Sequence, residues 1–340
     1  MRRLFVTKGC IKIIFKYIVG ISTSLILFGG HQMIVGIAYM IGACLCWGLV
    51  FVIPNLFPDF SPFEIMLGRC FFYGMLSIGI LLSLKRDLIF SLNRRIWIAG
   101  AILALVGSLI HYCSLVLSMR YVNSTIPTLL LGLTPVCMIL IDIRKTKTKK
   151  LRDFFVPCTL ILVGFIFVNI PTLAWDTNVS IENYAWGFFW SLVALATWIC
   201  FIAGSANFLK STSSLKASDW ITVLGVATFL WTVLLCTSSL FFVNTSINHY
   251  FIMSNGFLLA TALLGVCSSW LGYYMWNQAT LRLPLSLAGQ LSVLEIVFGL
   301  SFIHLANWKF PENIEILGIM TILSGIVLNL FMFQESAYQS

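Results

Sequence analysis

The stretch "QLSVLEIVFGL" (290–300) decides how this chain is read. It is an apolar run with one carboxylate, Glu295, in its middle. Glu295 lies about 16 Å along a helix from Pro284, at 1.5 Å per residue. That depth is near the centre of a hydrocarbon core roughly 30 Å thick. An acidic residue there costs roughly 2.5–3.5 kcal/mol on insertion scales. Such a cost is tolerated where the group faces a cavity, finds a partner or is protonated. One reading is a cation-binding or proton-coupling site; the other is a neutral acid bonding a neighbouring helix. Intramembrane acids as a rule mark pathways, and the functional reading is preferred.

The rest of the chain supplies the membrane. Of 340 residues, 59% are hydrophobic and 10% charged, with mean hydropathy +0.97. Soluble domains carry roughly 25% charged residues. The apolar runs are long rather than short and alternating, so they read as helices and not as barrel strands. Ten spans follow, at 33–54, 62–84, 96–118, 122–143, 153–170, 184–207, 219–243, 256–280, 284–305 and 314–333. The fold class expected is an all-α polytopic membrane protein.

The net charge of +9 is distributed by topology. With a cytoplasmic N-terminus, every Lys and Arg except Arg69, Arg120 and Lys309 falls on the cytoplasmic side. This is the positive-inside asymmetry, and it places both termini in the cytoplasm. The run "RKTKTKKLR" (144–152) is then a topogenic loop, and nucleic acid is not a partner. The ten cysteines show no metal-ligand spacing, and Cys44, Cys70, Cys113, Cys137, Cys158, Cys200, Cys236 and Cys267 sit in apolar spans as small hydrophobes. No metal or other cofactor is expected. Residues 1–32, basic and then apolar, read as an N-terminal extension with no room for an eleventh crossing. Residues 334–340 read as a cytoplasmic tail.

The loop 171–183 divides the spans into two sets of five, 33–170 and 184–333. An odd number per half turns the second half upside down in the membrane, a common transporter plan. "SLIHYCSLVLSMRY" (108–121) and "SWLGYYMWNQATLRL" (269–283) align Arg120 with Arg282, Tyr112 with Tyr274 and His111 with Tyr273. "LTPV" (133–136) and "LEIV" (294–297) follow in the next span of each half.

These features resemble the drug/metabolite transporter superfamily, specifically its proteins with two EamA domains. "YMIGACLCWGLVFVIP" (39–54) has that family's small residues leading into Trp-Gly. "SPFEIMLGRCFFYG" (61–74) is similar to its outside Pro followed by an intramembrane Arg, here Arg69. "VNSTIPTLLLGLTPV" (122–136) and "SLAGQLSVLEIVFGL" (286–300) resemble its fourth and ninth spans, with Ile296 where the ninth-span pattern has Pro. The resemblance covers about 34–333 and implies an inverted repeat of two five-helix halves moving amino acids, other metabolites, drugs or nucleotide-linked sugars.

Candidate site residues follow. Arg69, in the first half, and Glu295, in the second, are expected near one central cavity. Glu64 is badly placed to pair with Arg69 five residues away on a helix. His111 and Tyr112 in span three match Tyr273 and Tyr274 in span eight. Trp270, Tyr274 and Asn277 share a face at i, i+4, i+7 spacing. With Trp47 these would line an aromatic, weakly polar cavity suited to a small amphiphile; helix packing is the alternative for each. Trp175, Trp186, Trp220 and Trp308 read as interfacial anchors. Asn178 and Asn244 head formal glycosylation sequons.

No P-loop, HExxH or GxSxG occurs, which argues against primary active transport and hydrolysis. The function expected is secondary transport, preferably export, of a small metabolite, amino acid or amphiphile, with proton coupling through Glu295. The lipid bilayer, as a bacterial inner membrane, and the small-molecule substrate are the expected partners, and no enzymatic activity is expected. The alternatives are a membrane scaffold or intramembrane enzyme and, within transport, a nucleotide-sugar antiporter.

Overall fold

The computed structural model describes residues 31–57, 59–122, 125–146, 154–170, 180–242, 255–306, 308 and 310–338. Residues 1–30 of the extension, both sequon asparagines and Trp175 lie outside these. All regular structure among the described residues is helical. The helices are α1 (His31–Leu56), α2 (Pro62–Leu84), α3 (Arg94–Val122), α4a (Thr125–Leu131), α4b (Thr134–Thr146), α5 (Phe155–Asn169) and α6 (Ile181–Ser211). Then come α7 (Ala217–Phe242), α8 (Asn255–Arg282), α9a (Leu285–Leu291), α9b (Leu294–Ala306) and α10 (Asn313–Tyr338).

Counting each a/b pair as one, nine of these are long and apolar enough to cross a membrane among the described residues. The tenth expected span, α5, is described over 15 residues. It would reach about 22 Å at 1.5 Å per residue. The expected ten-helix architecture is therefore approximately met.

Local chemistry sets the helix starts. Ser61 and Glu64 form a reciprocal cap on α2, the Glu64 amide donating to Ser61 Oγ (3.2 Å) and the Ser61 amide to Glu64 Oε2 (2.7 Å). Pro62 needs no donor in the first turn. This use of Glu64 removes it as a partner for Arg69. Ser180 caps α6 through the Asn183 amide.

The packing follows the two halves. Helix α1 packs on α8 and α9b; α6 packs on α3 and α4a. Helix α2 packs on α7, α5 on α10, and α4b on α9a. Taken crossing by crossing, with each a/b pair as one, exchanging each helix with the one five places on returns these same pairs. The α5–α10 contact is closest at Gly164 and Gly318, where a Cβ on either would sit 2.7 Å from the other's carbonyl oxygen.

Two irregularities also recur in both halves. Helices α3 and α8 carry π-helical turns at Leu105–Ile110 and Leu264–Leu271. The fourth and ninth crossings are broken, at residues 132–133 and 292–293. The first break precedes Pro135, which cannot donate to the Leu131 carbonyl. The second occurs with Ile296 in place of Pro. There the Glu295 amide bonds the Ser292 carbonyl (3.0 Å) and the Ile296 amide the Val293 carbonyl (3.1 Å), tightening the turn. The Cys44 thiol of α1 donates to the carbonyls of Leu291 (3.5 Å) and Ser292 (3.7 Å), and Ser292 Oγ donates to Gly289 (2.8 Å). Side chains thus satisfy backbone groups that the turn leaves over.

One expected anchor is corrected. Trp220 is fully buried, its indole donating to Ser205 Oγ (2.7 Å) and stacked on Phe208. An apolar ring with a polar tip suits a packed helix contact as well as an interface. Trp186 and Trp308 are exposed.

Candidate functional site

A single cavity gathers residues from both halves. It is lined by Trp47, Val50 and Phe51 of α1, Arg69 of α2, His111, Tyr112 and Leu115 of α3, Leu131 of α4a, Trp198 of α6 and Glu295 of α9b. Its volume, as space open to water centres, is about 30 Å³. That is room for water and not for a metabolite. In this form the cavity does not hold a metabolite.

Arg69 is buried at 4% exposure. Its Nε donates to Ser269 Oγ (2.8 Å) and its Nη2 to Tyr273 Oη (2.8 Å), both on α8. The guanidinium lies 4.3 Å from the centre of the Tyr112 ring. It is held by neutral acceptors and a π-face, with no carboxylate in contact. The ion pairs among the described residues are Lys85–Asp219 and His304–Glu315. Arg69 and Glu295 line the same cavity and form no ion pair with each other.

Glu295 is the second residue of α9b, in the first turn after the break. Its carboxylate makes no hydrogen bond or ion pair with a described residue. The helix N-terminus favours negative charge at that position, by about 0.3–1 kcal/mol. The break therefore does two things at once: it makes a helix end at mid-crossing and puts the acid on it.

The aromatic wall repeats across the two halves. Trp47 donates through Nε1 to the Ser268 carbonyl (3.0 Å), in the π-turn of α8. Trp198 stacks on His111 (4.8 Å between centroids), just after the π-turn of α3. The two tryptophans meet edge to face at 5.1 Å. His111 Nδ1 donates to the Ala194 carbonyl (2.8 Å), since a carbonyl only accepts; this leaves Nε2 as the acceptor.

The cavity thus takes in Glu295, Arg69, Trp47, His111 and Tyr112, and leaves out Trp270, Tyr273, Tyr274 and Asn277. Tyr273 stands behind the cavity and positions Arg69. Asn277 bonds the Tyr273 carbonyl (2.8 Å) and accepts from Ser205 (3.2 Å), in an α6–α8 packing network. Trp270 and Tyr274 stack on each other, and Tyr274 meets Tyr39 edge to face, beside α1. The i, i+4, i+7 count assumed an unbroken 100° per residue, and Trp270 lies in a π-turn. Trp198, Phe51, Ser269 and Cys44 were not singled out by sequence. Trp198 carries a signal: "VALATW" (193–198) mirrors "GACLCW" (42–47) at the same place in the second half.

Known proteins bear on this arrangement. Residues 34–170 match the EamA-like transporter family. The inner membrane protein YtfF of Escherichia coli (strain K12) is 25% identical over 312 residues, 87% of this chain and 95% of YtfF. A solved crystal structure shares the fold at TM-score 0.68, with 15% identity, over 88% of this chain and 96% of its own. The resemblance to EamA-domain members of the drug/metabolite transporter superfamily is borne out by the family match over residues 34–170, and the likeness to YtfF runs on through the rest of the crossings.

Proposed function

We propose, on the footing that this chain is an integral membrane transporter with an EamA-like first half, that it is a secondary exporter of a small metabolite. It works by alternating access between the halves 33–170 and 184–333. The observation that carries this reading is one cavity lined from both parts of the chain, with Arg69 from one and Glu295 from the other. A second observation supports alternation. The a/b halves of crossings four and nine are joined at one end, where α4b packs on α9a, while α4a and α9b make no comparable contact. The joined end is the basic one, bearing Arg144 and Arg282, and by charge asymmetry it faces the cytoplasm. The form seen is then sealed on the cytoplasmic side.

Glu295 serves as the proton-coupling group. A carboxyl on a helix end inside a cavity that opens to each side in turn can take a proton from one side and release it to the other. By kinship with an inner membrane protein the setting is a bacterial inner membrane, with both termini cytoplasmic. Export, rather than uptake, rests on the EamA resemblance. Transport needs no catalytic residue, and none is assigned.

The test compares metabolites in cells and medium for cells expressing wild type, Glu295→Gln or neither, at equal membrane abundance. Wild type is expected to shift at least one compound class outwards in a pH-dependent manner. Glu295→Gln is expected to lose the shift or its pH dependence. An unchanged rate and pH profile in Glu295→Gln would remove proton coupling; no redistribution by wild type would remove transport.

A further inference from the structure

We propose that a stripe on α8, Trp270, Tyr274, Gln278 and Arg282, with Tyr39 of α1 beside it, binds one anionic phospholipid from the leaflet at the basic end of the molecule. The lipid phosphate sits on Arg282 and an acyl chain runs along the aromatic rings. The site lies outside the cavity and does not depend on what the protein transports.

The stripe is a ladder of four residues at i, i+4 spacing, which one face of a helix presents in line. Trp270 stacks on Tyr274, with 5.7 Å between centroids and 14° between planes. Tyr274 Oη accepts from Gln278 Nε2 (3.0 Å), and Gln278 Oε1 accepts from Arg282 Nη1 (2.6 Å). Arg282 Nη1 also donates to the Gln278 carbonyl (2.8 Å). All four residues are half-buried, so each still shows surface. Tyr39 flanks them from α1: its ring centre lies 5.2 Å from the guanidinium carbon, and the ring meets Tyr274 edge to face at 6.3 Å. The ladder runs about 18 Å along α8. It is aromatic at mid-helix, then amide, then cationic at the helix end. A phospholipid is graded in the same order, from chain to ester to phosphate.

Depth and charge agree with this. Helix α8 has 28 residues. It is about 42 Å long at 1.5 Å per residue, against a hydrocarbon core of roughly 30 Å. Its last residue, Arg282, therefore stands in the headgroup layer. There its Nη2 bonds no described residue, and no described carboxylate pairs with it. Gln278 fixes the guanidinium without neutralising it. A planar fork held in this way suits a phosphate. Lys210 of α6 donates through Nζ to the Leu283 carbonyl (3.3 Å) and places a second positive charge at the same end. Basic sites between helices at this depth favour lipids of net negative charge over zwitterionic ones.

The inverted repeat supplies a contrast. Arg120, which aligns with Arg282, is preceded at the same intervals by Val116, Tyr112 and Ser108. Its Nη2 donates to the Phe60 carbonyl (2.7 Å), and Tyr112 lines the cavity. The architecture therefore does not require the ladder, which belongs to one half and one leaflet.

The test is native mass spectrometry of the purified full chain in detergent, titrated with phosphatidylglycerol or with phosphatidylcholine of the same chains. Wild type is expected to hold one phosphatidylglycerol at least about tenfold more tightly than phosphatidylcholine, the equivalent of one charge-assisted hydrogen bond. Arg282→Gln is expected to lose that preference. Arg86→Gln, exposed at the same end and outside the ladder, is expected to keep it. Should Arg282→Gln not fold, Arg282→Lys keeps the charge and loses the fork, and is expected to weaken the preference. Equal binding of the two lipids by wild type, an unchanged preference in the folded Arg282 variant, or an equal loss in Arg86→Gln overturns the site. Glycerol phosphate, the anion without chains, is expected to bind far more weakly than the lipid; equal affinity would make this a phosphate site and overturn the lipid.

Discussion

At the scale of single residues, the cavity is lined by two ionisable groups that have no ionic partner among the described residues. Arg69 is caged by Ser269, Tyr273 and the ring of Tyr112, and Glu295 is held on a helix end. A scaffold would gain from losing such an acid, and a transporter would lose its function. Glu295→Leu is therefore expected to keep or raise the melting temperature in detergent and to abolish redistribution of substrate. Gln290 is a second case. It is fully buried on α9a, and neither its side-chain oxygen nor its nitrogen has a partner among the described residues. An unsatisfied buried polar group costs about 1–3 kcal/mol. Gln290→Leu should stabilise the closed form, seen as a higher melting temperature, and should slow transport if that face is wetted when the cytoplasmic end opens. A lower melting temperature would mean that Gln290 has a partner after all. Arg69 and Glu295 were legible in the sequence because a charge in an apolar run has few innocent explanations. Ser269 and Trp198 were not singled out: a serine or a tryptophan is ordinary in any membrane helix, and only folding brings these two beside Arg69 and Trp47.

At the scale of elements, the departures from ideal helix do the positioning. The π-turns of α3 and α8 free carbonyls that side chains then use: Ser108 accepts from Cys70 (3.6 Å), and Ser268 from Trp47 (3.0 Å). These turns were hidden from a reading based on a fixed period, which is why Trp270 and Asn277 were placed on one cavity face. The break in α9 could be anticipated from its mirror in α4, but not its cause, since Cys44 and Ser292 stand in for a proline. Gly265, in the π-turn of α8, meets the backbone of α2 directly. A Cβ there would lie 2.7 Å from the Arg69 carbonyl and 2.7 Å from the Tyr73 amide nitrogen. Backbone cannot swing aside, so Gly265→Ala should cost about 1–3 kcal/mol and displace Arg69. Gly79, on the same α2, has open space around its Cβ position. Gly79→Ala should be neutral or stabilising, since alanine favours a helix by up to about 1 kcal/mol. Thermal unfolding of the two variants side by side checks the contrast.

At the scale of the whole molecule, the crossings were readable within a few residues because hydropathy reports lipid contact directly. Their packing order was not, since it depends on which small residues meet. If alternation parts α4b from α9a, joining them should arrest it. An ideal Cβ on Gly289 would lie 2.5 Å from the Met138 Cβ, so the seam must part by about 1 Å to reach the roughly 3.5–4.5 Å that a disulfide spans. Met138→Cys with Gly289→Cys, in a Cys137→Ser background, is expected to block transport when oxidised and to recover on reduction. Transport by the oxidised pair would place the moving seam elsewhere.

The Gly164–Gly318 contact has a different consequence. It lies on the pseudo-twofold relation, so it looks the same whichever half is taken first. A machine that trades the conformations of its two halves changes every contact that has a distinct mirror image. A contact that is its own mirror image need not change at all. By that rule the α5–α10 seam, like the α2–α7 seam that also maps onto itself, can stay intact through the cycle while the other contacts exchange.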